Sequence, residues 1–153
     1  MKSTRGTQYL KSRGIPFELI CYEHEEKGAV FAAKATGFPL ERTIKTLVAD
    51  LGNNSYALAL MPGDRELSLK QLADACSVKR AQMADVQTAE RITGYLVGGI
   101  SPFGTRRNLP VLMEKSLLQY ETVVINAGQR GLMLKMSPQD IMKVLGCRVF
   151  DNE

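Results

Sequence analysis

The run Thr43-Ile44-Lys45-Thr46-Leu47-Val48-Ala49 is rich in β-branched residues, and Gly52-Asn53-Asn54 follows it before a second apolar run, Tyr56 to Met61. Branched side chains are stiff at χ1 and pack well on a pleated surface, whereas Gly and Asn accept the left-handed backbone of a tight turn. The stretch therefore predicts an antiparallel hairpin, ended by Pro62-Gly63-Asp64. Other runs bounded by turn residues read as strands: Phe17 to Cys21, Tyr95 to Val97, Pro110 to Met113, Glu121 to Asn126, Leu132 to Lys135 and Cys147 to Phe150. Gly128-Gln129-Arg130-Gly131 is the turn between Glu121–Asn126 and Leu132–Lys135.

Helices fill the intervals. Thr4 to Arg13 is closed by Gly14, and Ala29 to Thr36 by Gly37 with Pro39 beyond it. Ser68 with Gln71 predicts a capping box. Val86 to Thr93 ends at Gly94, and Ser137-Pro138 starts a helix that runs to Leu145 and stops at Gly146. Strands outnumber these short helices, so the fold class is α/β or α+β with a mixed sheet. A doubly wound dinucleotide fold is not indicated, because the glycine loop lacks GxGxxG spacing and leads towards a strand.

A chain of 153 residues predicts one domain, spanning 1–153, with a core of its own. No apolar run approaches the roughly 18 residues of a membrane span. Polar residues follow Met1-Lys2-Ser3-Thr4-Arg5, so no signal peptide is expected and the cytoplasm is the default compartment. Cys21, Cys76 and Cys147 form no CxxC pair, and His24 is the one histidine. No disulfide framework, metal or cofactor is therefore expected. A net charge of +4 permits an RNA partner without demanding one.

Few residues offer chemistry. Lys45 shares a strand face with Thr43, Leu47 and Ala49. It reads either as an ammonium aimed into a pocket, where it could hold an ester, carboxylate or phosphate, or as a surface lysine lying over Leu47. Gly98-Gly99-Ile100-Ser101-Pro102-Phe103-Gly104 would let backbone N–H groups approach a ligand and stabilise an oxyanion; a plain connecting loop is the alternative. Lys79, Arg80, Arg106 and Arg107, with Lys115, read as an RNA footprint or as solvated surface. His24 lies among Glu23, Glu25 and Glu26, as in a surface loop. No Ser-His-Asp or Cys-His pairing is evident, and Ser101 is not in a GxSxG elbow.

Four blocks then fall in order: Lys45-Thr46-Leu47-Val48, Met61-Pro62-Gly63-Asp64, Gly94 to Gly104, and Ala127-Gly128-Gln129-Arg130-Gly131. In order and separation they resemble the YbaK/EbsC family, over essentially the whole chain. The resemblance implies a compact α/β domain with a mixed, barrel-like β-sheet and short surrounding helices, and hydrolysis of mischarged aminoacyl-tRNA. It implies that Lys45 anchors the 3′-terminal nucleotide or the aminoacyl ester. Gly98, Gly99 and Ile100 would supply backbone donors, and Tyr22, Thr46, Ser101, Pro102, Phe103 and Asn126 would contact substrate. Two positions depart from the family pattern: Asn126 stands where a Ser is common and Met133 where an Asp is common.

For the Cys-tRNA(Pro) branch the resemblance implies that the substrate's own thiol attacks its ester, leaving the protein to position and to stabilise charge. Mischarged tRNA(Pro) is the expected partner, with prolyl-tRNA synthetase a candidate second one. Ala-tRNA(Pro) deacylation is the neighbouring alternative. A non-catalytic RNA- or synthetase-binding module is the alternative from another class.

Overall fold

The computed structural model describes residues 3–23 and 29–153. The central hairpin is β2 (Ile44–Gly52) against β3 (Ser55–Pro62), paired antiparallel from Ile44↔Pro62 to Gly52↔Ser55. Asn53 and Asn54 turn it with φ of 53° and 60°, the doubly left-handed geometry that matches strand twist in a two-residue loop.

β3 then runs parallel to β5 (Val111–Glu114), and β5 parallel to β8 (Arg148–Phe150). On the other side, the short β4 (Gln82–Met83) pairs antiparallel with Ala49 and Asp50 of β2 alone. This five-stranded mixed sheet has the order β4-β2-β3-β5-β8. A second, antiparallel sheet has the order β1-β7-β6, from β1 (Glu18–Cys21), β6 (Val123–Gln129) and β7 (Leu132–Met136). Among the described residues a parallel bridge, Thr43↔Val124, links the two sheets at one corner. The mixed, barrel-like arrangement is thus open rather than closed.

Alternation along the hairpin sorts the core. Ile44, Val48, Leu58 and Leu60 face the larger cluster, which includes Phe103, Met113, Ile125 and Leu134. Ala49, Ala57, Ala59 and Met61 face a smaller one, closed by Leu72 and Phe150. A period-two strand buried on both faces needs apolar residues at every position, and β3 is buried from Ala57 to Pro62.

Among the described residues five α-helices surround the sheets: α1 (Arg5–Ser12), α2 (Ala29–Thr36), α3 (Leu69–Ala75), α4 (Val86–Thr93) and α5 (Pro138–Leu145). Gly94 and Gly146 end α4 and α5 in the left-handed conformation, with φ of 80° and 61°. Two expectations need correction. The reciprocal capping box forms at Thr4 and Thr7, not at Ser68. Ser68 does accept from the Gln71 N–H, but its own N–H donates to Asn152 Oδ1 at 2.7 Å, which leaves nothing for the Gln71 side chain. Tyr95 to Val97 is not a strand. Thr93 Oγ1 accepts the Tyr95 N–H at 3.2 Å, and the buried Tyr95 hydroxyl donates to the Phe103 carbonyl. Of the apolar triplet, Tyr95 alone is buried and pins the turn, while Leu96 is 71% exposed.

Because β4 pairs with β2 only at Ala49 and Asp50, the edge of β2 from Lys45 to Leu47 has no strand partner on that side among the described residues. The candidate site lies along that edge.

Candidate active site

A cavity of about 370 Å³ opens between the two sheets, and segments remote in sequence line it. β2 contributes Ile44 to Val48, including Lys45 and Thr46. The second sheet contributes Asn126 from β6 and Met133 from β7, with Tyr22 just beyond β1. Ala29 and Ala32 of α2, Met83 and Ala84, and Val86 and Ala89 of α4 close the walls, while Val97, Gly98 and Ile100 form the last side. Most of the lining is apolar, as is usual for small-ligand sites with a few placed polar groups.

The polar groups are few and distinct. Lys45 is the single charged side chain on this wall among the described residues, and none of them gives it an ion pair. Thr46 Oγ1 is buried with no hydrogen-bond partner among them. Tyr22 packs 6.1 Å from Phe31; burial pushes its phenol above the usual range, so it stays a neutral hydroxyl at physiological pH. Asn126 Oδ1 accepts from the Gly128 and Gln129 N–H groups at 2.7 and 3.1 Å, and its Nδ2 donates to the Gly98 carbonyl at 3.3 Å.

The glycine loop begins with a tight turn. The Gly99 N–H donates to the Leu96 carbonyl at 2.8 Å, and Gly98 sits at the third position with φ +95°. A left-handed third residue marks a type II turn and explains why a glycine is required there. Three side chains hold the turn. Glu90 Oε2 accepts the Val97 N–H at 2.8 Å, Arg130 Nε and Nη2 donate to the Val97 carbonyl at 3.1 and 2.9 Å, and Asn126 holds the next carbonyl. Among the described residues the N–H groups of Gly98 and Ile100 make no hydrogen bond.

Lys45, Thr46, Tyr22, Gly98, Ile100 and Asn126 thus come together. Gly99 does not join them: it is on the opposite side of the loop, in a separate cavity with Gly94, Leu96 and Arg130. Ser101, Pro102 and Phe103 are buried beneath the loop rather than on the cavity wall. Ser101 Oγ accepts the Phe103 N–H at 3.3 Å, and the fully buried Phe103 ring lies 6.2 Å from Tyr9. These three build the floor that supports the loop.

The basic residues divide. Lys79 and Arg80 line a cleft of about 620 Å³ with Asp50, Asn54, Tyr56 and Gln82. Arg107 reaches the same place: Nη2 donates to the Asn54 carbonyl at 2.5 Å, and the guanidinium lies 5.3 Å over the Tyr56 ring. Arg106 is exposed and faces away, beside Gly94 and Arg5. Cleft and cavity follow one another along β2, separated by the two residues of β4. Cys21, Cys76 and Cys147 line neither. His24, with Glu25 and Glu26, lies outside the described residues.

Met83, Val86 and the alanines of α2 carry no mark in the sequence as walls, since nothing in an apolar residue distinguishes a cavity lining from a core. The role of Glu90 and Arg130 was equally hidden, although Arg130 stood inside one of the four blocks.

The aminoacyl-tRNA editing domain family matches residues 24–144. A protein of Enterococcus faecalis, provisionally named the Cys-tRNA(Pro)/Cys-tRNA(Cys) deacylase EbsC, is 28% identical over 145 residues, covering 94% of this chain and 88% of that protein. The multifunctional Ser/Thr-tRNA deacylase ProXp-y of Escherichia coli is 26% identical over 140 residues, covering 88% and 83%. In fold, the chain matches a crystal structure described provisionally as a trans-editing enzyme for prolyl tRNA synthetase, with a TM-score of 0.88, 23% identity and coverage of 99% and 98%.

Proposed function

As a member of the aminoacyl-tRNA editing domain family, the chain is an aminoacyl-tRNA deacylase, and we propose that the ester it clears is Cys-tRNA(Pro). The YbaK/EbsC resemblance drawn from the four sequence blocks holds. The observation that carries the proposal is the meeting of Lys45 in one largely apolar cavity with Gly98 and Ile100, whose N–H groups make no hydrogen bond among the described residues. A cation and unpaired backbone donors suit an ester carbonyl on which negative charge develops.

Among the described residues this wall offers no thiol, imidazole or carboxylate. That wall is compatible with what the YbaK/EbsC resemblance implies for a cysteinyl ester, namely that the nucleophile is the substrate's own thiol. Sulfur forms a bond to the ester carbonyl carbon, the bond from that carbon to the ribose oxygen breaks, and the thiol proton ends on the departing ribose hydroxyl. The products are a cyclic thiolactone and free tRNA. The enzyme's share is to hold sulfur and carbonyl in a near-attack geometry and to stabilise the oxyanion. Met133, at a position where the family commonly has Asp, keeps the wall apolar around a small uncharged side chain. The basic cleft beyond β4 would take phosphates of the acceptor strand, and prolyl-tRNA synthetase is the proposed source of the mischarged tRNA.

The test is a deacylation panel of Cys-, Ala-, Ser- and Thr-tRNA(Pro), with S-methylcysteinyl-tRNA(Pro) beside them. Rapid loss of the Cys ester and none of the S-methyl ester is expected. Equal hydrolysis of the S-methyl ester would show that water attacks and would refute the thiol mechanism.

A further inference from the structure

We propose that Arg130 is a positioning residue that sets the orientation of the Val97–Gly98 peptide, and so aims the Gly98 N–H into the cavity. The inference rests on the deacylase reading above and adds a residue that touches no substrate. Arg130 is exposed, belongs to the hairpin between β6 and β7, and is absent from the cavity wall. It lines the space on the other side of the glycine loop.

In a four-residue turn, the central peptide can take either of two orientations about half a rotation apart, which is the difference between types I and II. Here the central peptide is Val97–Gly98. Its carbonyl oxygen receives two hydrogen bonds from the Arg130 guanidinium, at 3.1 and 2.9 Å. A trans peptide is planar, with C=O and N–H pointing in opposite directions. Drawing the Val97 carbonyl towards Arg130 therefore turns the Gly98 N–H away from Arg130, to the side on which Val97 and Gly98 face the cavity. That N–H makes no hydrogen bond among the described residues.

The neighbouring peptide obeys the same logic. Asn126 holds the Gly98 carbonyl, and the Gly99 N–H points the other way, into its bond with Leu96. Glu90 fixes the peptide before, through the Val97 N–H. Three side chains therefore fix three successive peptides, and only the middle one leaves its N–H to the cavity. The fit is close: a Cβ on Gly98 would meet Arg130 Nε at 2.5 Å, so guanidinium and glycine need one another's shape. Val97 and Gly98 remain in place without Arg130, but the orientation of their shared peptide loses the bidentate bond that selects it.

Arg130→Ala should lower kcat on the best ester of the panel by about 10- to 100-fold, somewhat less than outright removal of an oxyanion donor. KM should stay within about threefold, because the contact matters only as charge develops. Arg130→Lys, which can give the same carbonyl one bond, should recover part of kcat. A second readout is the Gly98 amide in the 15N–1H spectrum. The non-hydrolysable 3′-deoxy-3′-(cysteinylamino)adenosine should shift it in the wild type and leave it nearly unmoved in Arg130→Ala. The same spectrum shows whether the variant keeps its fold; if it does not, Arg130→Lys carries both measurements.

An active wild type alongside an Arg130→Ala of unchanged kcat would overturn this proposal alone. So would a variant whose whole loss lies in KM, which would make Arg130 a binding residue. A wild type inactive on every ester would overturn the deacylase reading beneath it.

Discussion

Replacing Lys45 by Ala removes the one charge on the described cavity wall, and its effect on activity can be bounded. Two unit charges 4 Å apart at an effective dielectric of 20 interact by about 4 kcal/mol, which is an upper limit for an ammonium beside an oxyanion. Water enters the enlarged cavity of the variant and supplies part of the lost solvation. A net loss of roughly 2–4 kcal/mol remains, or about thirty- to a thousand-fold in rate. Stability should respond quite differently. Lys45 is half-buried and has no ion pair among the described residues, so its truncation leaves no buried partner unpaired. The folding cost should stay within about 1 kcal/mol. Lys45→Met, which keeps the apolar stem, should be as inactive as Lys45→Ala; Lys45→Arg should rescue poorly, because a planar fork does not replace a compact ammonium in a tight space. Single-turnover deacylation beside thermal melts separates the two effects. A Lys45→Ala enzyme within threefold of the wild type, at saturating substrate and with an unchanged melt, would refute the electrostatic role.

Two further outcomes follow from features off the cavity wall. Cys21→Ser, Cys76→Ser and Cys147→Ser should each keep full deacylase activity, and an alkylating reagent at pH 8 should modify exposed Cys21 far faster than Cys147, whose thiol burial pushes up from 9.0 to about 12. The same shift means that Cys147 favours the fold fully below pH 9 and that this contribution is lost as pH rises towards 12; equal labelling of the two thiols would contradict it. Affinity for tRNA should fall as salt rises, and combined alanine substitution of Lys79 and Arg80 should flatten that dependence; a slope unchanged in the double variant would remove the cleft from the tRNA path.

How much of this was legible in the chain depends on the kind of signal each part emits. The hairpin of β2 and β3 and the bounds of α2 and α4 could be read because their determinants are local: branched residues, Asn turns, and glycines at helix ends. The parallel pairings of β3 with β5 and of β5 with β8 could not, since they are set by packing between segments about 35 to 50 residues apart. Tyr95 to Val97 misled for a physical reason. A short apolar run suits a buried strand, but it can equally be a turn with one buried residue, and the decision was made by Thr93 Oγ1 and by the Phe103 carbonyl, which accepts from the Tyr95 hydroxyl. Lys45 and Gly98 came from a block pattern, and the fold brought them together. Ser101 to Phe103 belonged to the same block but sank into the core, where an aromatic side chain is more stable than in a wet loop. Arg130 was visible only as a turn residue, because its purpose depends on a carbonyl 33 positions away.

The seam between the two sheets has a kinetic consequence. Tyr22, Thr46, Gly98, Asn126 and Met133 reach one cavity from segments scattered over more than a hundred positions of chain, and the sheets they stand on are joined by a shared core and by the bridge Thr43↔Val124. The hairpin can assemble from neighbours in sequence, but the cavity exists only after the longest loops have closed, which is the slow part of folding for a topology of this kind. During synthesis the ribosome must therefore release nearly the whole chain before any editing centre is present, and a partly folded molecule has no half-competent site with which to attack correctly charged tRNA.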